Sequence, residues 1–205
     1  FAPPLVEALQ RVAREAGVPL KSVLLAAHLR VIAALSGQSD VITGLVSHGR
    51  PDVIGAEQAL GLYLNTLPFR LGLERESWLE LVRRTFAAET DLLPHRRVPL
   101  AALQRTSGGA LFDSIFNFTH FHLAGAIAGN SALDVLDVQQ YGSTHFALAA
   151  DFDLDPRTGA LRLQLSAGDG GFSAEQLAQF GRYYAAALQS IAHDAACCAV
   201  TVPLL

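Results

Sequence analysis

Residues Leu20 to Val46 read LKSVLLAAHLRVIAALSGQSDVITGLV. Nearly every face of the first half is apolar: Leu20, Val23, Leu24, Leu25, Leu29, Val31, Ile32 and Leu35. A helix that is apolar all round is buried on most of its sides. Ser36-Gly37-Gln38 ends it, and Val41 to Val46 is then an apolar run of strand length. A short run of this kind suits a central strand with both faces covered. A buried helix feeding a buried strand points to a mixed α/β fold, in which helices flank a mixed sheet.

The chain outward from this unit agrees. Upstream, Leu5, Leu9, Val12 and Ala16 recur at helical steps, with Gly17 as a stop and Pro19 as a restart. Downstream, Gly49-Arg50-Pro51 breaks the chain, a loop with one helical turn runs to Leu60, and Leu67 to Leu73 reads as a strand. Ser77-Trp78-Leu79-Glu80 is a capping box for a helix that buries Trp78, Leu81, Val82 and Phe86 and stops at Pro94. Phe112 to Phe121 alternates, with Phe112, Phe116 and Phe118 on one face; Leu133 to Val138 is a weaker strand. Phe146, Leu148, Ala150, Phe152 and Leu154 alternate inward along the next strand, and Leu161, Leu163 and Leu165 repeat the pattern after the Asp155–Gly159 turn. The alternation predicts a hairpin with Leu154 opposite Leu161 and Asp153 opposite Arg162. Ser173-Ala174-Glu175-Gln176 is a second capping box, for a helix to about His193 that buries Leu177, Phe180, Tyr184, Leu188 and Ile191.

Composition narrows the function. The 205 residues are 51% hydrophobic and 17% charged, with a net charge of −4, and mean hydropathy is +0.30. That suffices for a full core and excludes disorder. Without a basic excess, nucleic acid is not an expected partner. No run reaches ~18 apolar residues, so no membrane span is expected, and Phe1 to Leu9 lacks the pattern of a signal peptide. The only cysteines, Cys197 and Cys198, are adjacent, and a reducing cytoplasm is the expected compartment. The absence of methionine is compatible with a piece of a longer chain. Fourteen of fifteen basic residues are Arg, a bias of genome composition rather than function.

No chemistry emerges from spacing alone. Ser47 and His48 are neighbours at a strand end, where they point apart, and no G-x-S-x-G elbow surrounds them. His120 and His122 share a strand face, and a metal would need His145 or other ligands; aromatic packing with Phe116 and Phe118 explains them more simply. No metal site is expected. His28, mid-helix among apolar residues, reads as a core or cavity-wall histidine. Gly168-Asp169-Gly170-Gly171 is a strand-to-helix loop without phosphate-loop spacing, and Asp151, Asp153 and Asp155 make a solvated sheet face rather than a calcium loop.

Three segments in order resemble the C-terminal lobe of nonribosomal peptide synthetase condensation domains. Leu60-Gly61-Leu62-Tyr63-Leu64-Asn65-Thr66-Leu67-Pro68-Phe69-Arg70 is similar to the family's I-G-x-F-V-N-T-L-x-x-R motif, Tyr63 standing in the aromatic place. Pro94-His95-Arg96-Arg97-Val98-Pro99-Leu100 resembles H/N-Q-D-x-P-F-E, with His95 and Pro99 matching and Arg96-Arg97 and Leu100 departing. Gly109 to Ser114 resembles R-N-P-L-F through Leu111-Phe112. The stretch from Leu24 through Gly49-Arg50-Pro51 looks like the family's helix, then S-G-Q-x-D-V, strand and G-R-P turn, and Val202-Pro203-Leu204-Leu205 looks like the start of a linker to an adenylation domain.

The resemblance implies an α/β (α+β) fold, one lobe of a two-lobed chloramphenicol acetyltransferase-like architecture, with residues 1–205 as the C-terminal lobe and the N-terminal lobe outside the chain. It implies amide formation between donor and acceptor thioesters, carried on the phosphopantetheine arms of donor and acceptor carrier proteins. The expected partners are those carrier proteins, the N-terminal lobe and the adjacent adenylation domain. The family's H-H-x-x-x-D-G motif does not occur here, so no catalytic residue is assigned and the lobe by itself is expected to be inactive. Asn65, Thr66, Arg70 and His95 match the motifs and are the candidate lining of the substrate tunnel. A non-catalytic docking platform and an epimerization-domain lobe are the alternative readings.

Overall fold

The computed structural model describes residues 1–51, 53–58, 60–119, 144–155, 158–169 and 171–204. His120, His122 and the expected strand over 133–138 lie outside the described residues.

Helix α1 (Pro3–Ala16) and helix α2 (Leu20–Ser36) close at Gly17 and Gly37. Strand β1 (Asp40–His48) follows, then a 3₁₀ turn at Ala56–Gln58 and strand β2 (Leu64–Gly72). Helix α3 (Trp78–Leu92) runs into a 3₁₀ turn at Leu93–His95, where Pro94 allows a tighter turn but no continuation. Helix α4 (Leu100–Ser107), strand β3 (Ser114–Thr119), strand β4 (Leu148–Leu154), strand β5 (Leu161–Ser166) and helix α5 (Ala174–His193) complete the order. The sheet runs β2-β1-β3-β4-β5. It is mixed: β1 is parallel to β3 and β3 to β4, while both outer pairings are antiparallel. No single described helix is long and apolar enough to cross a membrane.

Helices α2, α3 and α5 pack on the sheet, and α1 packs against these three helices. Helix α2 is their centre, with Ser22 to Leu29 continuously buried, as its lack of a polar face requires. Beneath it lie Val41, Leu45, Phe69, Phe116, Phe152 and Leu161. Arg30 leaves this helix to hold the C-terminal segment, donating to the carbonyls of Ala199, Val200 and Val202.

Both capping boxes are present: Ser77 with Glu80, and Ser173 with Gln176. The β4–β5 register is the expected one, Asp153 opposite Arg162 and Leu154 opposite Leu161.

Four expectations need correction. Phe86 is 37% exposed, because it lies beyond the stripe of α3 that meets α2. Leu177 is only half-buried, in the first turn of α5. Phe112 does not share a face with Phe116. Its ring sits where a Cβ of Gly44 would stand, 2.3 Å from that position, beside the methyls of Thr66 and Ile115. Phe116 instead contacts the His28 ring on the helical side, with centroids 5.4 Å apart. Phe146 stacks on Phe112 at 5.6 Å and so leaves the inward row of β4. Ladder pairing begins at Ser114 and Leu148, so alternation does not bind residues ahead of those positions. Helix α4 has no counterpart in the reading of Pro94–Leu100 as a motif.

Candidate functional site

Strands β1 and β2 pair over their full length, which brings Ser47 opposite Asn65 and Val46 opposite Thr66 at one end of the sheet. The chain must then turn back from β1, and three segments lock together there. The Gly49 N–H donates to the Tyr63 carbonyl at 2.6 Å. The Arg50 guanidinium stands 4.4 Å from the centroid of the Tyr63 ring and donates to the Ala56 carbonyl. From the segment after α3, Arg97 donates to the Gly49 carbonyl at 3.1 Å, and Arg96 reaches the Arg50 carbonyl.

Asn65 is the hub of this clasp. Its Nδ2 donates to the carbonyls of Arg96 at 3.1 Å and Val98 at 2.7 Å. An NH₂ group has two donors, and both are used on the facing loop. The Asn65 side chain therefore sets the position of the segment that carries His95, which is exposed in its 3₁₀ turn. Thr66 is half-buried beside Gly44 on the sheet face opposite the helices. Arg70 lies five residues along the strand from Asn65, about 17 Å away at ~3.3 Å per residue. There it forms a two-pronged pair with Asp40, which holds the Asp40 carboxyl below the ordinary carboxylate range. Asn65, Thr66 and the His95 segment are thus gathered at one end, and Arg70 is not. The contributions of Gly49, Arg50 and Arg97 to the clasp leave only two traces in the sequence, the G-R-P turn and the Arg96-Arg97 departure from the motif.

Several large apolar side chains between residues 53 and 64 are open to solvent. Leu60 is 98% exposed, Leu62 90% and Leu64 65%, with Val53 and Ile54 also open.

A second polar cluster is closed to solvent. His28, 0% exposed, has Nδ1 2.7 Å from the Tyr184 hydroxyl and Nε2 2.9 Å from Thr43 Oγ1. The Thr43 hydroxyl donates to the Ser114 carbonyl and accepts from the Ser114 hydroxyl, both at 3.0 Å. Thr43 has one proton and has placed it, so Nε2 carries hydrogen and donates, while Nδ1 accepts from Tyr184. The imidazole is neutral, and burial pushes its pKa down to about 3. Burial pushes the Tyr184 phenol up. Every group is paired and none reaches a surface, so the cluster orders the core, as expected of a satisfied core histidine.

The loop at Gly168 has an equally plain explanation. A Cβ there would stand 2.9 Å from the Phe146 carbonyl oxygen, so the glycine serves close backbone packing. Cys197 and Cys198 are free thiols.

The chain as a whole is similar to known proteins in sequence and fold. The family model described as Condensation domain matches residues 1–200. The chain is 40% identical over 187 residues to the AMB antimetabolite synthetase AmbE of Pseudomonas aeruginosa, covering 91% of this chain and 9% of that protein. It is 33% identical over 151 residues to the chondramide synthase of Chondromyces crocatus, covering 69% of this chain and 4% of that protein. The fold matches the first condensation domain of the calcium-dependent antibiotic synthetase in complex with a substrate analogue. That match has a TM-score of 0.80 at 23% identity and covers all of this chain and 46% of that one. The chain thus spans under a tenth of these curated relatives and just under half of the solved domain.

Proposed function

The chain belongs to the condensation-domain family, and on that premise we propose that it is the C-terminal lobe of a nonribosomal peptide synthetase condensation domain. The reaction is amide formation between two carrier-bound thioesters. The acceptor's amine attacks the donor's thioester carbonyl, the C–N bond forms, the C–S bond breaks, and the donor pantetheine leaves as its thiol with a proton taken from the amine. The phosphopantetheine arms belong to donor and acceptor carrier proteins, an adenylation domain follows in the longer polypeptide, and the assembly works in the cytoplasm. The H-H-x-x-x-D-G motif is not in this sequence, so the proton-handling histidine comes from the other lobe.

This lobe supplies one wall of the tunnel, with Asn65, Thr66 and His95 at that end of the sheet; Arg70, which the resemblance also pointed to, lies along β2 in its pair with Asp40 and is left out of the wall. Asn65 is a positioning residue within that wall, because its amide is committed to the loop that carries His95. The exposed Leu60, Leu62 and Leu64 are the contact surface for the other lobe.

The observation that carries this reading is the family match over residues 1–200. The test uses loaded donor and acceptor carrier proteins, with an intact two-lobed domain as control. The 205-residue chain is expected to be folded and to form no amide. Turnover by this chain alone at the control's rate would overturn the assignment of the chemistry to the other lobe.

A further inference from the structure

We propose that α3 and the turn after it act as one rigid link between residues 195–202 and the His95 segment, and that Arg30 is the bolt at the far end of that link. Arg30 is thereby a remote positioning residue for the His95 segment, although it touches neither Asn65 nor His95.

The link begins at the start of α3. The first four N–H groups of a helix have no partner inside it. In α3 the Ser77 hydroxyl takes the Glu80 N–H. The Trp78 N–H donates to the Cys197 carbonyl at 3.1 Å, and the Leu79 N–H to the Ala195 carbonyl at 3.0 Å. The segment after α5 therefore completes the cap of α3. It is tied there twice more: the Ala199 N–H donates to the Glu76 carbonyl at 2.9 Å, and the Trp78 ring Nε1 donates to Ser190 Oγ at 3.0 Å. Arg30 holds this segment from α2, through the carbonyls of Ala199 at 2.9 Å, Val200 at 3.2 Å and Val202 at 2.9 Å. None of the ion pairs among the described residues involves Arg30. A planar guanidinium fork suits several acceptors held in fixed places.

The other end of α3 has no slack. A hinge is a residue that absorbs a change in φ and ψ. Leu92, Leu93 and Arg96 all keep right-handed helical angles, and Pro94 between them has its φ fixed by its ring. The Arg96 N–H donates to the Leu93 carbonyl at 3.3 Å, and the Val98 N–H to the His95 carbonyl at 2.9 Å. Asn65 grips the Arg96 and Val98 carbonyls just beyond. The 15 residues of α3 span about 22 Å at ~1.5 Å per residue. A displacement of residues 195–202 therefore reaches the His95 segment as a displacement of the same helix, and no flexible loop intervenes to dissipate it.

The test has two arms, and only the second rests on the reading of His95 as tunnel wall. In the first, amide exchange is followed in the 205-residue chain and its Arg30→Met variant. The Trp78, Leu79 and Val98 amides are expected to exchange about tenfold faster in the variant, with the β4–β5 ladder unchanged. Arg30→Lys keeps the cation without the fork, so the same three amides are expected to respond, but less. Faster exchange at Trp78 and Leu79 with Val98 unmoved overturns the proposal. Equal acceleration of the β4–β5 ladder also overturns it, since Arg30 would then act only on global stability. In the second arm an intact two-lobed domain carries the same substitutions. Arg30→Met is expected to lower kcat by about fivefold with KM unchanged, and Arg30→Lys to restore part of the loss. A faster Val98 amide with kcat unchanged supports the link and counts against the tunnel-wall reading, so the two failures are distinguishable.

Discussion

Acid should destabilise this domain through His28 in a way that can be isolated. Its ordinary pKa is 6.5, and in the fold burial lowers it to about 3. Below pH 6.5 the unfolded chain binds a proton on this histidine that the folded chain refuses. Stability is therefore fully present above 6.5 and is lost as pH falls toward about 3. Between pH 7 and pH 5 the loss from this one group is about 2 kcal/mol. The ring is fully buried, so solvent screening does not discount the figure. Carboxylates titrate in the same range, and the control is His28→Gln, which keeps a donor and an acceptor but does not titrate. Urea unfolding of both proteins at pH 7 and pH 5 gives the difference in stability between them. That difference is expected to shrink by about 2 kcal/mol at the lower pH. A difference that stays constant would mean that His28 takes up its proton inside the fold, and the buried neutral network would be refuted.

Three further outcomes follow from particular contacts. Gly44→Ala forces a methyl group into the space of the Phe112 ring and the methyls of Thr66 and Ile115. It should cost about 1–3 kcal/mol in chemical denaturation despite the usual gain of replacing a strand glycine. The Thr85 hydroxyl is buried without a hydrogen-bond partner among the described residues, so Thr85→Val should stabilise the fold by about 1 kcal/mol; a loss of that size would reveal a missed partner. In an intact condensation domain, Asn65→Ala should lower kcat by about tenfold or more through the displaced His95 segment. A fall only in proportion to the folded fraction, read from melting curves, would leave Asn65 with a purely structural role.

The elements legible in the sequence are those whose determinants are local. A capping box needs only Ser77 and Glu80, or Ser173 and Gln176, three residues apart, and both formed as read. The β4–β5 register followed from strict alternation, since a slip by one residue would turn Leu161 and Phe152 toward solvent. The burial of α2 followed from its want of a polar face. The motif around Asn65 carried the family, because residue identities at set spacing survive in one dimension.

What only the tertiary structure decided are the relations between segments far apart in the chain. Phe112 and Phe146 belong to the Gly44 side of the sheet because a missing Cβ leaves space there, and nothing in their own neighbourhood says so. The side chain of Asn65 finds its acceptors thirty-one and thirty-three residues away. His28 finds Tyr184 across 156 residues and Thr43 on the strand beneath it; the Thr43–Ser114 bonds settle its tautomer, and its burial settles its charge. Such pairs carry no periodicity, since the direction of a side chain and the dielectric around it are set by what the packed core brings beside it.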